Sequence, residues 1–255
     1  MSAADEAWYV AAFQGDYIDV YPHRDLDSAR SEVAWLLARG VKGRVLDLCC
    51  GFGRHTLALA ERDVDVVGMD LSWELLSGAR KLPGAQRIAD RLVRGDAKAL
   101  PFHDAGFDAV VNLFSSFGYF GDDGDRRMLD EIARVLRPGG LLVMDLMNPA
   151  RVRAGLVPDS RTMRDGMVLE EQRALVDDGR RVTKHVTLTQ ADGRVRTWHE
   201  DVRMYEIDEI QSLLATRGLV VTVVEGGFMG EPAGPLAPRQ IVRALKTRYH
   251  SESSP

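Results

Sequence analysis

Three aspartates stand at or just beyond the ends of apolar segments, and their carboxylates could bind a polar, partly cationic ligand. Asp47 precedes Gly51 and Gly53, Asp70 lies 19 residues after Gly51, and Asp96 follows a third, weaker apolar segment. A Gly-x-Gly turn between a strand and a helix brings backbone N–H groups close to a ligand. An acidic residue about 20 residues further on can accept hydrogen bonds from both hydroxyls of a ribose.

The position of Asp47 distinguishes between two kinds of nucleotide cofactor. A carboxylate beside the glycine turn would repel the pyrophosphate of a nicotinamide cofactor. S-adenosylmethionine carries a sulfonium and an ammonium group, so it tolerates or uses a carboxylate at that place. Asp96 can accept a hydrogen from an adenine amino group, and the backbone N–H of Ala97 can reach a ring nitrogen. Together the three aspartates favour S-adenosylmethionine.

The sequence resembles the class I S-adenosylmethionine-dependent methyltransferases, and within them the branch that acts on small molecules. The resemblance covers about residues 40–148 and is carried by the segment 45–55 (VLDLCCGFGRH), Asp70, Asp96 with Ala97, the segment 107–114 and residues 136–140 (LRPGG). It implies a Rossmann-like fold and methyl transfer to O, N or C of a small metabolite.

The resemblance also implies a role for each matching residue. The cofactor-binding set is Asp47, Gly51 and Gly53 for methionine, Asp70 for ribose, Asp96, Ala97 and Leu71 for adenine, and Asn112 and Leu113 for the methionine amino group and the methyl-donor region. Where many members of the family have a third glycine in the turn, this sequence has His55. Arg54 and His55 are therefore expected to orient the loop.

Residues that could take a proton from the methyl acceptor form a second set. Methyl transfer to a hydroxyl or ammonium group requires that a proton be removed, and histidine suits this task at neutral pH. His199 and His23 are candidate bases, and Tyr119 is a third candidate catalytic residue. The alternative for both histidines is a solvated or structural role.

The N-terminal segment contains aromatic and basic residues that could cover the cofactor. Tyr17, Tyr21 and Arg24 are predicted to close the cofactor site. The alternative is a surface helix that uses its tyrosines as packing anchors.

Strands that alternate with helices must position these residues. Apolar runs predict strands at 44–48, 64–69, 91–93, 107–114, 141–146, 219–225 and 240–246. Helices are predicted within residues 1–40, at 56–61, from Ser72 to Pro83, from Asp122 to Pro138 and at 206–217. The alternation indicates an α/β fold with a Rossmann-like, mostly parallel seven-stranded sheet and helices on both faces. Such sheets bind ligands at the carboxyl ends of their strands.

The pattern changes between residues 150 and 205. Three extended segments within 167–205 are separated by Asp178-Gly179 and Asp192-Gly193, a strong hairpin signal that predicts an inserted antiparallel β meander. We therefore divide the chain into an N-terminal helical cap (1–40), a cofactor-binding domain (41–149 and 206–248) and an insertion (150–205). The insertion is expected to supply substrate contacts, a lid or a homodimer interface.

Composition limits the class of protein. The chain has 255 residues, a net charge of −5 and 45% hydrophobic residues, enough for a core without disulfide or metal staples. No signal peptide, membrane span or metal site is visible, and the adjacent Cys49 and Cys50 suggest a reduced, cytoplasmic protein. The acidic balance and the lack of an Asn/Asp-Pro-Pro-aromatic motif after Val111 disfavour nucleic acid. Two alternatives remain, an NAD(P)-dependent oxidoreductase and a non-catalytic S-adenosylmethionine-binding protein.

Overall fold

A computed structural model describes residues 7–15, 20 and 25–248 of the chain. Its helices are α1 (Trp8–Ala12), α2 (Leu26–Ala38), α3 (Arg54–Ala60), α4 (Trp73–Ala79), α5 (Gly121–Val135), α6 (Pro149–Gly155) and α7 (Ile207–Ala215). Its strands are β1 (Arg44–Leu48), β2 (Asp65–Asp70), β3 (Leu92–Arg94), β4 (Phe107–Asn112), β5 (Leu136–Met147), β6 (Asp159–Arg164), β7 (Met167–Val176), β8 (Arg181–Thr189), β9 (Val195–Arg203), β10 (Leu219–Glu225) and β11 (Arg239–Lys246).

The larger sheet has seven strands in the order β10-β11-β5-β4-β1-β2-β3. Strand β11 runs antiparallel to both of its neighbours, and the remaining pairs are parallel. The carboxyl ends of β1, β2, β3 and β4 therefore lie along one edge of the sheet. This arrangement confirms the predicted Rossmann-like fold.

Helices cover both faces of this sheet, as the alternation of elements predicts. On one face Leu129 of α5 and Leu214 of α7 pack with Val110 in one buried cluster. On the other face Leu36 of α2 and Leu57 of α3 belong to a second buried cluster. Because both faces are covered, β1 and β4 consist largely of buried residues.

Side chains cap the N-termini of helices α2 and α4. Asp25 accepts a hydrogen bond from the backbone N–H of Ser28 over 2.8 Å at the start of α2. The Ser72 hydroxyl accepts a hydrogen bond from the backbone N–H of Leu75 at the start of α4. The predicted cap at Ser72 is present. Helix α4 ends at Ala79, four residues before Pro83, and a turn follows it as far as Gly84. Proline thus follows the helix end rather than setting it.

A second, antiparallel sheet has the order β6-β7-β8-β9 and contains the three strands that the Asp-Gly turns predict. The sequence analysis missed β6, which pairs with β7 from Asp159 to Arg164. This edge strand is almost entirely exposed, so it lacks the apolar alternation by which strands are recognised. The buried face of the sheet, with Val186, Leu188 and Trp198, packs against Ala12 of α1.

Two strand boundaries differ by more than one residue from those that the sequence predicts. Strand β4 ends at Asn112 instead of residue 114, because Phe114 and Ser115 have positive φ angles of 60° and 58°. Strand β5 begins at Leu136 rather than Leu141, and its pairing with β4 shifts register between Phe107 and Ala109. The Pro-Gly-Gly motif, which is predicted to stop the preceding helix, therefore forms an irregular start of the strand, and the helix itself ends at Val135.

Within the described ranges, none of the helices is long and apolar enough to cross a membrane.

Candidate active site

A cavity of about 450 Å³ opens where β1, β2, β3 and β4 end. Its lining includes the carboxylates of Asp47, Asp70 and Asp96, which we call the carboxylate end. It also includes the rings of Phe13, Phe114, Tyr119 and Phe120, which we call the aromatic end. Its volume lies within the range of small-molecule sites.

Asp47 is the most deeply buried of the three carboxylates. Its side chain lies on β1, is 2% exposed and accepts a hydrogen bond from the Thr56 hydroxyl over 2.6 Å. Burial raises the pKa of Asp47, and His55, the Thr56 hydroxyl and Arg54 oppose this increase. Because its hydrogen-bond donor is a neutral hydroxyl, a cationic part of a ligand would compensate the buried charge.

Asp70 fixes the glycine turn and the start of α4 at once. Its Oδ2 accepts from the backbone N–H of Gly51 over 2.8 Å, and its Oδ1 accepts from the N–H of Ser72 over 2.9 Å. Burial raises the pKa of Asp70, and these two hydrogen bonds counteract the increase. A carboxylate has about four acceptor positions, so two remain for the hydroxyls of a ribose.

Gly53 supports the turn without facing the cavity. Its φ angle is +73°, and a Cβ atom there would lie 3.1 Å from the Cβ of Ala79 and 3.4 Å from Ile88 Cδ1. Only glycine combines this conformation with such a close approach. Gly51 lines the cavity and Gly53 does not, so the two predicted residues have different tasks.

The third strand end brings together the residues predicted for adenine. Asp96, Ala97 and Leu71 all line the cavity. Asp96 Oδ1 accepts from both the backbone N–H and the Nζ of Lys98, each over 2.9 Å. Lys98 Nζ also lies 3.3 Å from the hydroxyl of Tyr9, which links α1 to this end of the cavity.

The structure separates the two residues predicted at the end of β4. Leu113 lines the cavity. The side chain of Asn112 is fully buried and donates from Nδ2 to the carbonyl of Leu48 over 3.1 Å, so it ties β4 to β1. Asn112 does not line the cavity, because residues of a strand alternate in direction and its side chain points into the sheet's packing.

Of the candidate catalytic residues, Tyr119 lines the cavity and His199 does not. Tyr119 lines the aromatic end of the cavity, where its ring stacks on Phe13 at 5.7 Å and meets the edge of Trp8 at 4.8 Å. His199 is exposed on β9 and lies outside the cavity lining, with its ring 6.5 Å from that of Trp8. The ring of Trp8 thus contacts both Tyr119 and His199, and His199 does not reach the cavity itself.

Four further predicted residues lie outside the described residues. They are His23, Tyr17, Tyr21 and Arg24. Among the described residues near the N-terminus, aromatic residues of α1 and of the turn after it line the cavity. There the ring of Tyr9 meets the ring of Phe120 at 4.9 Å.

Sequence reasoning missed a buried charged cluster in the cavity wall. Glu32 of α2 contacts both Arg54 and His55 of α3, and these two residues line the cavity. Arg54 and His55 stand in the glycine motif, which is a sequence signal for both. Glu32 gave none, because a glutamate on an amphipathic helix is typical of a solvated face.

A second ion pair supports the loop that follows β4. Asp145, fully buried on β5, accepts from the backbone N–H of Phe114 over 2.9 Å and from Arg239 Nε over 2.6 Å. Arg239 Nη2 also donates to the Ser115 hydroxyl over 2.6 Å. This pair holds the two residues with positive φ angles in place, and it joins β11 to the aromatic end of the cavity.

The site fits S-adenosylmethionine by its charge and by its chemistry. Asp47 offers a buried negative charge to the cationic methionine part, and Asp70 has free acceptor positions for a ribose. Asp96 and the apolar Leu71 and Ala97 suit an adenine ring.

Comparison with known proteins agrees with this assignment. A family model described as a methyltransferase domain matches residues 45–140. The cypemycin N-terminal methyltransferase of a Streptomyces species is 34% identical over 212 residues, which cover 78% of this chain and 82% of that protein.

Two solved structures are similar over almost the whole chain. The CcbJ methyltransferase of Streptomyces caelestis superposes with a TM-score of 0.79 at 20% identity, covering 94% of this chain and 98% of that one. CalS10, an amino pentose methyltransferase of Micromonospora echinaspora solved with S-adenosylmethionine bound, has a TM-score of 0.68 at 26% identity, covering 91% and 96%. The chain belongs to the class I S-adenosylmethionine-dependent methyltransferases.

Proposed function

We propose that this enzyme methylates a small organic molecule that binds at the aromatic end of the cavity. The observation that carries the proposal is the continuity of one cavity from the carboxylates of Asp47 and Asp70 to the rings of Tyr119 and Phe120. A methyl donor held at the first end would present its methyl group toward the second. The cavity of about 450 Å³ must hold both the methyl donor and the reacting part of the acceptor, which supports an acceptor of metabolite size.

The cofactor and the chain contribute different parts of the chemistry. When bound, S-adenosylmethionine supplies a methyl group on a sulfonium, already activated for displacement. The chain must hold the acceptor in line with that methyl group, at about 3–3.5 Å. Tyr9 and Phe13 cover the cavity from α1 and its following turn, and Tyr119 and Phe120 cover it from the loop after β4. These rings exclude water and offer flat faces to an organic acceptor.

Names of similar proteins support a small acceptor. One relative is named as the N-terminal methyltransferase of cypemycin, and one solved neighbour as an amino pentose methyltransferase. Both names denote acceptors that a cavity of this size could admit at least in part. An amine-bearing small molecule is therefore the first class of acceptor to test.

Binding measurements test the cofactor half of the proposal. S-adenosylmethionine and S-adenosylhomocysteine at 100 times their Kd should each stabilise the protein by about 2.7 kcal/mol, and NAD and NADP should not. A stabilisation by the nicotinamide cofactors alone would contradict the proposal, since it would favour the oxidoreductase alternative.

Transfer of labelled methyl tests the other half. The purified protein is incubated with S-adenosylmethionine labelled in its methyl group and with amino sugars, short peptides with a free N-terminus, and small phenols. Label should appear in at least one acceptor. The variant Tyr119→Ala should raise the acceptor KM by about 2- to 12-fold, because an aromatic contact contributes about 0.5–1.5 kcal/mol. Tight cofactor binding with no transfer to any acceptor would favour the non-catalytic alternative.

A further inference from the structure

A carboxylate, an imidazole and a guanidinium form a buried cluster in the wall of the cavity. Glu32 Oε2 lies 2.6 Å from His55 Nε2 and 3.0 Å from Arg54 Nη1. His55 and Arg54 are 5% and 4% exposed, and both line the cavity, whereas Glu32 does not. The imidazole therefore stands between the cavity and the carboxylate.

We propose that His55 takes the proton that the methyl acceptor releases, with Glu32 as the residue that positions it. The acceptor is then a group that must lose a proton in order to be methylated, either an ammonium or a hydroxyl group, and not a carbon nucleophile or a thioether. This inference rests on the proposed function, because it names the chemical class of the acceptor for the same site.

The contact with Glu32 defines which ring nitrogen is available. A carboxylate accepts hydrogen bonds, so the neutral imidazole donates from Nε2–H to Glu32 and keeps Nδ1 as its acceptor nitrogen. A histidine whose far nitrogen is held by a carboxylate is oriented for proton transfer at the other nitrogen, and the carboxylate stabilises the imidazolium that forms. Glu32 acts through His55 and does not touch the cavity.

Charged groups lie near His55 on three elements. Among the described residues they are Glu32 on α2, Arg54 beside it on α3 and Asp47 on β1. Asp25 and Asp145 interact with Arg54, and Asp145 is also paired with Arg239. The carboxylates of Glu32 and Asp47 and the guanidinium of Arg54 carry a net charge of −1 beside the imidazole, which would stabilise an imidazolium formed during the reaction. The ring of Phe114, 5.7 Å from the ring of His55, shields this side from water.

The reaction balances with the established donor. The acceptor's proton passes to Nδ1 of His55, before attack for an ammonium group and during attack for a hydroxyl group. The lone pair on the acceptor nitrogen or oxygen, which in an ammonium group is the pair that deprotonation frees, forms the bond to the methyl carbon. The carbon–sulfur bond breaks, its electron pair stays on sulfur, and solvent takes the proton from Nδ1 when the products leave. No oxidant, reductant or metal is consumed.

Kinetics of His55→Gln test the proposal. Glutamine can still donate a hydrogen bond to Glu32 but cannot take a proton, so kcat should fall by about 10²–10⁴-fold. The Kd for S-adenosylhomocysteine should stay within about threefold of the wild type. The loss in kcat should shrink as pH rises, because the acceptor then loses its proton to solvent without help. A purely structural role for His55 would lower kcat by the same factor at every pH.

His185→Gln is the matched control, since His185 is exposed on β8 and lies outside the cavity lining. It should keep the wild-type kcat and pH profile. If His55→Gln does not fold, His55→Asn replaces it, and thermal denaturation identifies which variants are folded. A wild-type kcat in a folded His55 variant would overturn the proposal.

A spectroscopic measurement tests the proton's place without turnover. Nitrogen–proton correlation spectra of the ligand-free enzyme should show His55 with its proton on Nε2, and Glu32→Gln should populate both tautomers. A proton on Nδ1 in the wild type would overturn the proposal. If the wild type binds S-adenosylhomocysteine but methylates no acceptor, the proposed function fails. The spectrum still shows whether His55 carries its proton on Nε2, toward Glu32.

Discussion

Tyr205 donates its phenolic hydrogen to Asp125 Oδ2 over 2.8 Å, at a buried position where the second sheet leads back to the larger one. Asp125 Oδ1 also accepts from the backbone N–H of Phe120 over 3.2 Å. One carboxylate on α5 therefore joins the residue that follows β9 to an aromatic residue of the cavity. Burial raises the pKa of Asp125, and the hydrogen bond from Tyr205 opposes this increase.

Tyr205→Phe should destabilise the protein by about 1–3 kcal/mol at pH 7, because it leaves a buried carboxylate without one of its donors. Urea denaturation measures the difference. The single variants Tyr205→Phe and Asp125→Asn and the double variant form a cycle, in which the double variant should lose less stability than the sum of the two single losses. Additive effects of the two substitutions would show that the bond contributes nothing to stability.

Asp47→Asn should weaken binding of S-adenosylmethionine by about 10- to 100-fold, since a charge-assisted contact contributes about 1.5–3 kcal/mol. S-adenosylhomocysteine has no sulfonium, so its affinity should fall less. Isothermal titration calorimetry with both ligands gives the two ratios. Equal losses for the two would contradict a role of Asp47 toward the sulfonium.

The same substitution should stabilise the ligand-free protein at neutral pH. Burial raises the pKa of Asp47, so the folded state keeps a proton that the unfolded state loses from about pH 4 upward. Stability therefore falls as pH rises from about 4 through the raised pKa, and Asp47→Asn lacks this contribution. The difference in melting temperature between variant and wild type should grow over this range and then stay constant. A difference that is independent of pH would show that the pKa of Asp47 is the same in the folded and unfolded states and would contradict the prediction.

Asp70→Asn should weaken binding of S-adenosylmethionine and S-adenosylhomocysteine by the same factor, because both carry the ribose. An asparagine has one acceptor oxygen, so it cannot accept from the N–H of Gly51 and of Ser72 as the carboxylate does. We expect a loss of at least about tenfold for each ligand. Calorimetry at one pH suffices, with Asp65→Asn as a control on the exposed start of β2. Unequal losses would argue that Asp70 contacts the methionine part.

The carboxylate end of the cavity could be predicted from the sequence because its geometry follows from local rules. Each of Asp47, Asp70 and Asp96 stands at or beside the end of a strand, and neighbouring parallel strands end at one edge of a sheet. The positions of these three aspartates in the sequence are therefore enough to predict that they lie close together in the structure. The Asp-Gly turns predicted the meander for the same reason, since a hairpin is set by its turn.

The wall of the cavity could not be predicted, because it depends on how distant elements pack. Glu32 meets His55 over 23 residues of sequence, and Arg239 meets Asp145 over 94. No regular spacing in the sequence predicts either contact. The direction of the Asn112 side chain could not be predicted for a related reason, since the resemblance identifies a position in the chain and not the direction in which its side chain points.

Gly118 offers a way to change the aromatic end of the cavity without touching a ring. Its φ angle is +94°, its carbonyl accepts from the backbone N–H of Arg203 over 2.8 Å, and a Cβ atom there would collide with the carbonyl oxygen of Arg203. Gly118→Ala must therefore push the end of β9 away from the loop that carries Tyr119. We expect the acceptor KM to rise about tenfold and the Kd for S-adenosylhomocysteine to stay within about twofold.

Gly121→Ala is the matched control, because Gly121 has a similar φ angle of +69° but no atom within 4 Å of the added Cβ. Both substitutions share the cost of a left-handed alanine, about 1–2 kcal/mol. Gly118→Ala alone adds the collision with Arg203, so urea denaturation should find it the less stable of the two. If both variants showed the same stability and the same acceptor KM, the contact between β9 and the loop would have no part in shaping the acceptor end. If Gly118→Ala instead weakened S-adenosylhomocysteine binding and left the acceptor KM unchanged, the loop would serve the cofactor rather than the acceptor.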